Sequence, residues 1–147
     1  MKTVGELVEV KGHDVWSVAP DISVYEALKV MAEKNVGALL VVEGGRLVGT
    51  MSERDYARKI ILRGKSSVGT PVGDIMTPKV ISARPEQTME ECMTLMTSLR
   101  IRHLPVVDED RLIGMVSIGD VVKEVLASIK SGRDISKTAP KEGQGPK

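Results

Sequence analysis

One stretch occurs twice in the chain. Arg46-Leu47-Val48-Gly49-Thr50-Met51-Ser52-Glu53-Arg54-Asp55 returns 65 positions later as Arg111-Leu112-Ile113-Gly114-Met115-Val116-Ser117-Ile118-Gly119-Asp120. Both copies read as an apolar strand running into Ser-x-x-Asp at the start of a helix. The same offset aligns Val15 with Val80, Ser17 with Ser82, Pro20 with Pro85, Met31 with Met96 and Val41-Val42 with Val106-Val107. A duplicated unit constrains the fold before anything else does, because each copy must bury its apolar face against the other.

Within each copy the hydrophobic pattern changes period in the same order. Residues 15–18 alternate as a strand and stop at Pro20. Ser23-Val24-Tyr25-Glu26 is a capping box, a hydroxyl followed three residues later by Glu, and it opens a helix carrying Val24, Ala27, Leu28 and Met31 on one face. Gly37 is expected to end that helix region. Ala38 to Val42 is a buried strand, Glu43-Gly44-Gly45-Arg46 a turn and Leu47 to Met51 a second strand, with a helix following over about 53–63. The second copy repeats this with Thr88-Met89-Glu90-Glu91, Leu104 to Val107, Leu112 to Val116 and a helix over 118–130. The expected fold is α+β and sandwich-like: two units of strand, helix, strand, strand, helix about a pseudo-twofold axis. Val4-Gly5-Glu6-Leu7 resembles Val72-Gly73-Asp74-Ile75, so each unit has a lead-in, the first read as a short helical turn over 3–10. The expected units are 1–66 and 67–130, joined by a Gly-, Ser- and Pro-rich link over 64–77. Residues 131–147, with Ile135 as their one large apolar group, are expected to form a flexible tail.

A unit of about 55 residues is marginal alone, so the two are expected to pack face to face and leave two related clefts, each with one Ser-x-x-Asp. With Trp16, Tyr25 and Tyr56 as the only aromatics and no Phe, the core must be aliphatic and Met-rich. A net charge of +1 argues against nucleic acid or an anionic membrane as partner. The longest apolar run, Ala38 to Val42, is far short of a span, and the start has no signal-peptide pattern. The lone Cys92 cannot form an internal disulfide. A cytoplasmic protein is expected.

Ser52-Glu53-Arg54-Asp55 has two readings. It is a capping box with Asp in place of Glu, or the Asp faces outward and accepts hydrogen bonds from vicinal ribose hydroxyls while phosphate lies near free amides. Arg54 and Arg58, one turn apart, can reach one anion or belong to a solvated helix face with Lys59 and Arg63. Gly119 replaces Arg54 in the second copy, so the clefts are chemically unequal. Arg100-Ile101-Arg102-His103-Leu104-Pro105 adds three basic groups where the first copy has Asn35 to Leu40 without charge, which suits an anion. Phosphate-loop and dinucleotide glycine patterns are absent, His13 and His103 lack metal spacing with Cys92, and Ser52 has no evident His and acid partners. No enzyme is expected.

These motifs, with His103-Leu104-Pro105-Val106-Val107-Asp108 and the two Gly-x-x-Ser-x-x-Asp segments, resemble the CBS domain, named after cystathionine β-synthase. The resemblance covers roughly 3–130 and points to a stand-alone pair. It implies adenosine ligands between the repeats: AMP or NAD first, ATP or ADP also, and S-adenosylmethionine in some members. It places the ribose on Asp55 and Asp120, with Ser52, Ser117 and Thr50 beside them. Trp16, Ser17, Val80 and Ser82 would enclose adenine, and Arg102 and His103, before Leu104-Pro105, would meet phosphate. It further implies a homodimer and an unidentified regulated protein. Ala38-Leu39-Leu40 departs from the basic, Leu-Pro pattern. A ligand-free dimeric adaptor is the competing expectation.

Overall fold

The computed structural model describes residues 2–13 and 15–130, and the expected tail over 131–147 lies outside them. The order is α1 (Val4–Lys11), β1 (Ser17–Val18), α2 (Val24–Lys34), β2 (Ala38–Glu43), β3 (Arg46–Ser52) and α3 (Glu53–Tyr56), which continues as a π turn over Ala57–Ile61. A 3-10 turn (Val72–Asp74), α4 (Met89–Leu99), β4 (His103–Asp108), β5 (Arg111–Ser117) and α5 (Ile118–Lys130) follow. The five strands lie in the order β1-β2-β3-β5-β4. The named strands of the two halves pair where Arg46 faces Arg111, the same residue of each repeat, so the pseudo-twofold axis passes between them. Two like charges face each other there, and Asp110 lies 3.5 Å from Arg46 to offset them.

The helix starts are those the capping pattern predicts. The Glu26 amide donates to Ser23 Oγ at 3.0 Å, and Thr88 and Glu91 exchange two hydrogen bonds. The first helix ends at Lys34, before Gly37, because Asn35 takes the left-handed conformation (φ 56°) that Asn tolerates and so reverses the chain early. Arg100 does the same after α4 (φ 57°).

The expected first strand of the second repeat does not form. In the first repeat Leu40 donates its amide to the Trp16 carbonyl at 3.3 Å, which holds β1 parallel to β2. Pro105 stands at the equivalent place and has no N–H to give the Ile81 carbonyl. Only a bridge between Ala83 and Val106 remains, through bonds of 2.8 Å from Ala83 to Pro105 O and from Val107 to Ala83 O.

The lead-ins cross over. Val4 and Gly5 donate to Gln87 O and Pro85 O of the second repeat, and Val72 and Gly73 donate to Ile22 O and Pro20 O of the first. Val4, Leu7 and Val8 therefore sit in a core with Met89, Cys92, Met96, Leu104, Val106 and Val116. Val72 and Ile75 sit in the other core with Val24, Ala27, Met31, Leu39, Val41 and Met51. The repeated glycines mark the crossings. A Cβ on Gly114 would lie 2.8 Å from Val8 Cγ1, and one on Gly49 would lie 2.8 Å from both Met76 Sδ and the Thr77 carbonyl. The segment read as a link over 64–77 thus carries two core residues, and 3–10 forms a full helix rather than a single turn.

The lead-ins differ after that. Pro78 disfavours helix at Thr77, so Thr77 runs extended and pairs with Thr50 on the free edge of β3. The first lead-in has Val10 at the matching place, and its helix continues to Lys11.

Candidate nucleotide clefts

Ser52 to Asp55 turns β3 into α3, and the geometry is that of the capping-box reading. It is a capping box: the Ser52 amide donates to Asp55 Oδ2 at 2.9 Å and the Asp55 amide to Ser52 Oγ at 3.1 Å. The Asp55 carboxylate is buried and takes further donors from the protein. The Ser52 hydroxyl donates to Oδ2 at 3.0 Å, the Thr77 hydroxyl to Oδ1 at 3.1 Å, and Lys59 Nζ lies 3.0 Å from Oδ1. Lys59 also donates to the Ile75 carbonyl at 2.8 Å. Burial pushes the Asp55 carboxyl up, but the Ser52 amide and hydroxyl and the Lys59 ammonium together hold it below the ordinary carboxylate range. It is a buried, ionised acceptor whose partners come from both repeats.

Asp120 repeats the box, with Ser117 N–H to Oδ2 at 2.8 Å and Asp120 N–H to Ser117 Oγ at 3.1 Å. Its lysine comes from elsewhere. Glu124 occupies the place of Lys59 and pairs with Lys2 at 3.3 Å, and it is Lys11 of α1 that donates to Asp120 Oδ2 at 2.7 Å and to the Met115 carbonyl at 3.0 Å. Burial raises this carboxyl too, and Lys11 and Ser117 more than reverse it. Oδ1 of Asp120 accepts no hydrogen bond from the described residues.

Thr77 leads directly to a cavity of about 160 Å³ lined by Leu47, Pro78, Val80, Ser82, Val107 and Asp110. Val80 and Ser82 thus line a cavity with Leu47 of the first repeat, across the repeat boundary. On β4, Leu104 and Val106 enter the core, so strand alternation turns His103, Pro105 and Val107 to the other face, where Val107 lines the cavity. His103 is also paired in register with Ser117, and the Ile118 amide donates to the Arg102 carbonyl at 3.0 Å. Arg102, His103, Arg54 and Arg58 are exposed. Leu104 is fully buried, and Arg100 caps α4. Trp16 is half-exposed, with Lys34 Nζ 4.4 Å over its ring, at the end of α2. Ser17 pairs with Leu40, and Leu40 with Thr50, in one row across the sheet.

Three residues of these clusters carry no sequence motif. Lys59 is legible only as the residue four beyond Asp55 on a helix. Thr77 and Lys11 reach the carboxylates because the lead-ins cross, which no local pattern reports. No group of three His, Cys, Asp or Glu among the described residues is placed to hold a metal ion, and no described helix is long and apolar enough to cross a membrane.

The family model of the CBS domain matches residues 4–62 and 72–127. The chain is 47% identical over 134 residues to the mitochondrial CBS domain-containing protein CBSX3 of Arabidopsis thaliana, covering 84% of this chain and 65% of that protein's length. The solved structure of a CBS-domain protein from Burkholderia ambifaria MC40-6 superposes with a TM-score of 0.71 at 49% identity, over 86% of this chain and 95% of that one. CBSX2, solved in complex with AMP, superposes with a TM-score of 0.70 at 32% identity, over 88% of this chain and 99% of that one. The chain belongs to the CBS-domain family, as a tandem pair.

Proposed function

We propose that this CBS pair is a regulatory module that binds an adenine nucleotide between its repeats. AMP or NAD, or else ADP or ATP, would place its ribose hydroxyls on the Ser-x-x-Asp carboxylates and its phosphates among Arg54, Arg58, Arg102 and His103. Thr50, Ser52 and Ser117 flank the sugar, and Ser17, Trp16, Val80, Ser82 and Pro105 border the base. The observation that carries the reading is Asp55, a buried carboxylate kept ionised by hydroxyl, amide and ammonium donors. A ribose diol offers the same kind of donor. The AMP complex of CBSX2 supports the ligand class. Four exposed cations suit phosphate better than the sulfonium of S-adenosylmethionine.

The cavity of about 160 Å³ is smaller than the roughly 300 Å³ from which ligand pockets start, so a nucleotide with its base there would extend beyond it. The strands of the halves pair at Arg46 and Arg111, and the crossed lead-ins tie the halves together beyond that point. A nucleotide that prefers one angle between the repeats shifts the population toward it, and a partner or a second copy reads the change. We assign dimerisation to the exposed Val122, Leu126 and Ile129 stripe of α5, and a cytoplasmic role with no catalysis of its own.

A thermal-shift panel of AMP, ADP, ATP, NAD and S-adenosylmethionine tests the reading. Ligand at about 100 times Kd contributes about 2.7 kcal/mol, which raises Tm by roughly 5–10 °C for a chain of this size. No shift with any ligand contradicts it and leaves the capping-box geometry, and with it the adaptor reading, as the role of both segments.

A further inference from the structure

We propose that Asp110 selects the base. Its carboxylate, beside Ser82 in the cavity wall, accepts a hydrogen bond from an exocyclic amino group, so the site takes an amino-purine and rejects an oxo-purine. The inference rests on the nucleotide function proposed above and adds what reads the base, with the ribose on either Ser-x-x-Asp carboxylate.

The cavity has four apolar walls, Leu47, Pro78, Val80 and Val107, and two polar ones, Ser82 and Asp110. Its volume of about 160 Å³ accepts one end of a nucleotide and not the whole. A carboxylate in the wall repels phosphate, and the apolar walls suit a flat ring, so the end that enters is the base. Both polar groups are available to it. The Ser82 hydroxyl is half-buried and makes no hydrogen bond among the described residues. The Asp110 carboxylate is tied by Arg46 at 3.5 Å, too long for a strong hydrogen bond.

A carboxylate only accepts hydrogen bonds, whereas a hydroxyl both donates and accepts. Adenine presents an amino group, a donor, with an acceptor ring nitrogen to either side. A ring nitrogen accepts from Ser82 while the amino group donates to Asp110. Hypoxanthine or guanine would instead turn an oxo group toward the carboxylate, acceptor against acceptor with no proton between them.

This carboxylate stands where the backbone favours glycine. Glu109 and Asp110 take the left-handed conformation, with φ of 50° and 73°. The matching residues of the first repeat are Gly44 and Gly45, with φ of 60° and 82°. The second hairpin thus keeps a turn that glycine would relax, and the side chain it gains lines the cavity. The first hairpin has no room for a counterpart. A Cβ on Gly45 would run into the Arg111 guanidinium, while the Gly45 carbonyl accepts from the Leu112 amide at 3.1 Å. The two arginines at the axis therefore differ in role: Arg111 lies over Gly45, and Arg46 holds Asp110.

Titration calorimetry of the full chain tests this by comparing the adenine nucleotide that binds, AMP first, with its inosine counterpart. The pair differs only at the edge of the base that Asp110 would read. The adenine form is expected to bind at least about tenfold more tightly, since the inosine form loses a hydrogen bond to a charged group. Asp110→Asn offers an amide that donates to an oxo group, so the two forms should come within about threefold of each other. Asp110→Gly, which relaxes the turn, should narrow the ratio likewise. Equal binding of the two forms by the wild type, or a ratio that survives both substitutions, overturns the role of Asp110 and leaves the nucleotide function standing. No binding of AMP, ADP, ATP or NAD overturns both.

Discussion

The contact of Val8 with Gly114 spans the chain from its first helix to its last strand, and it can be tested by a double-mutant cycle. A Cβ on Gly114 would lie 2.8 Å and 2.9 Å from the two γ-methyls of Val8. Both are side-chain atoms of a fully buried residue held in a packed core, so they cannot simply swing away. Gly114→Ala should therefore destabilise by about 1–3 kcal/mol, the usual cost of overpacking. Val8→Ala removes two buried methyl groups, worth about 1.6 kcal/mol by transfer and somewhat more with the cavity left behind. The double variant places the new methyl in the space the old ones vacate. Its loss should fall short of the sum of the single losses by at least about 1 kcal/mol, measured as urea unfolding free energies at fixed pH. Additivity within about 0.5 kcal/mol would mean that the two residues do not touch, and would refute the crossing of the lead-ins.

Three further outcomes follow from individual residues. Asp55 is held below its ordinary pKa of 3.8, so its contribution to stability is present above that value and lost as pH falls through the lower folded one. The difference in urea midpoint between the wild type and Asp55→Asn should shrink below about pH 4, and a difference unchanged down to pH 2 would contradict it. Cys92 is buried and its thiol pushed up to about 11, mainly by burial, so a disulfide reagent at pH 8 should label it only after unfolding, and rapid native labelling would count against the packing. Pro105→Leu returns an amide to the place where Leu40 has one. Hydrogen exchange should find that amide protected by the Ile81 carbonyl, and free exchange would show that proline is not what keeps the strand from forming.

Much of the fold is legible in the sequence because its signals are local. The 65-residue offset, the caps at Ser23 and Thr88, and the strands over Ala38 to Val42 and Leu47 to Met51 all find their counterparts in the structure. What escapes local reading is tertiary. The exchange of lead-ins is written in pairs of residues, Gly5 and Gly73 against Pro85 and Pro20, Gly114 and Gly49 against Val8 and Met76, whose partners are far apart in the chain. The missing first strand of the second repeat turns on one absent N–H, and the early stop of α2 on one left-handed asparagine. At the clefts, the Ser-x-x-Asp segments are visible as motifs. Their donors Thr77 and Lys11 are not, because each arrives from the other repeat's lead-in.

The most direct measurement is a crystal structure of the chain grown with AMP. The expected density has the ribose hydroxyls on a Ser-x-x-Asp carboxylate, Asp55 or Asp120, and the phosphate toward the exposed cations Arg54, Arg58, Arg102 or His103. Both clefts empty at saturating AMP would contradict the proposal.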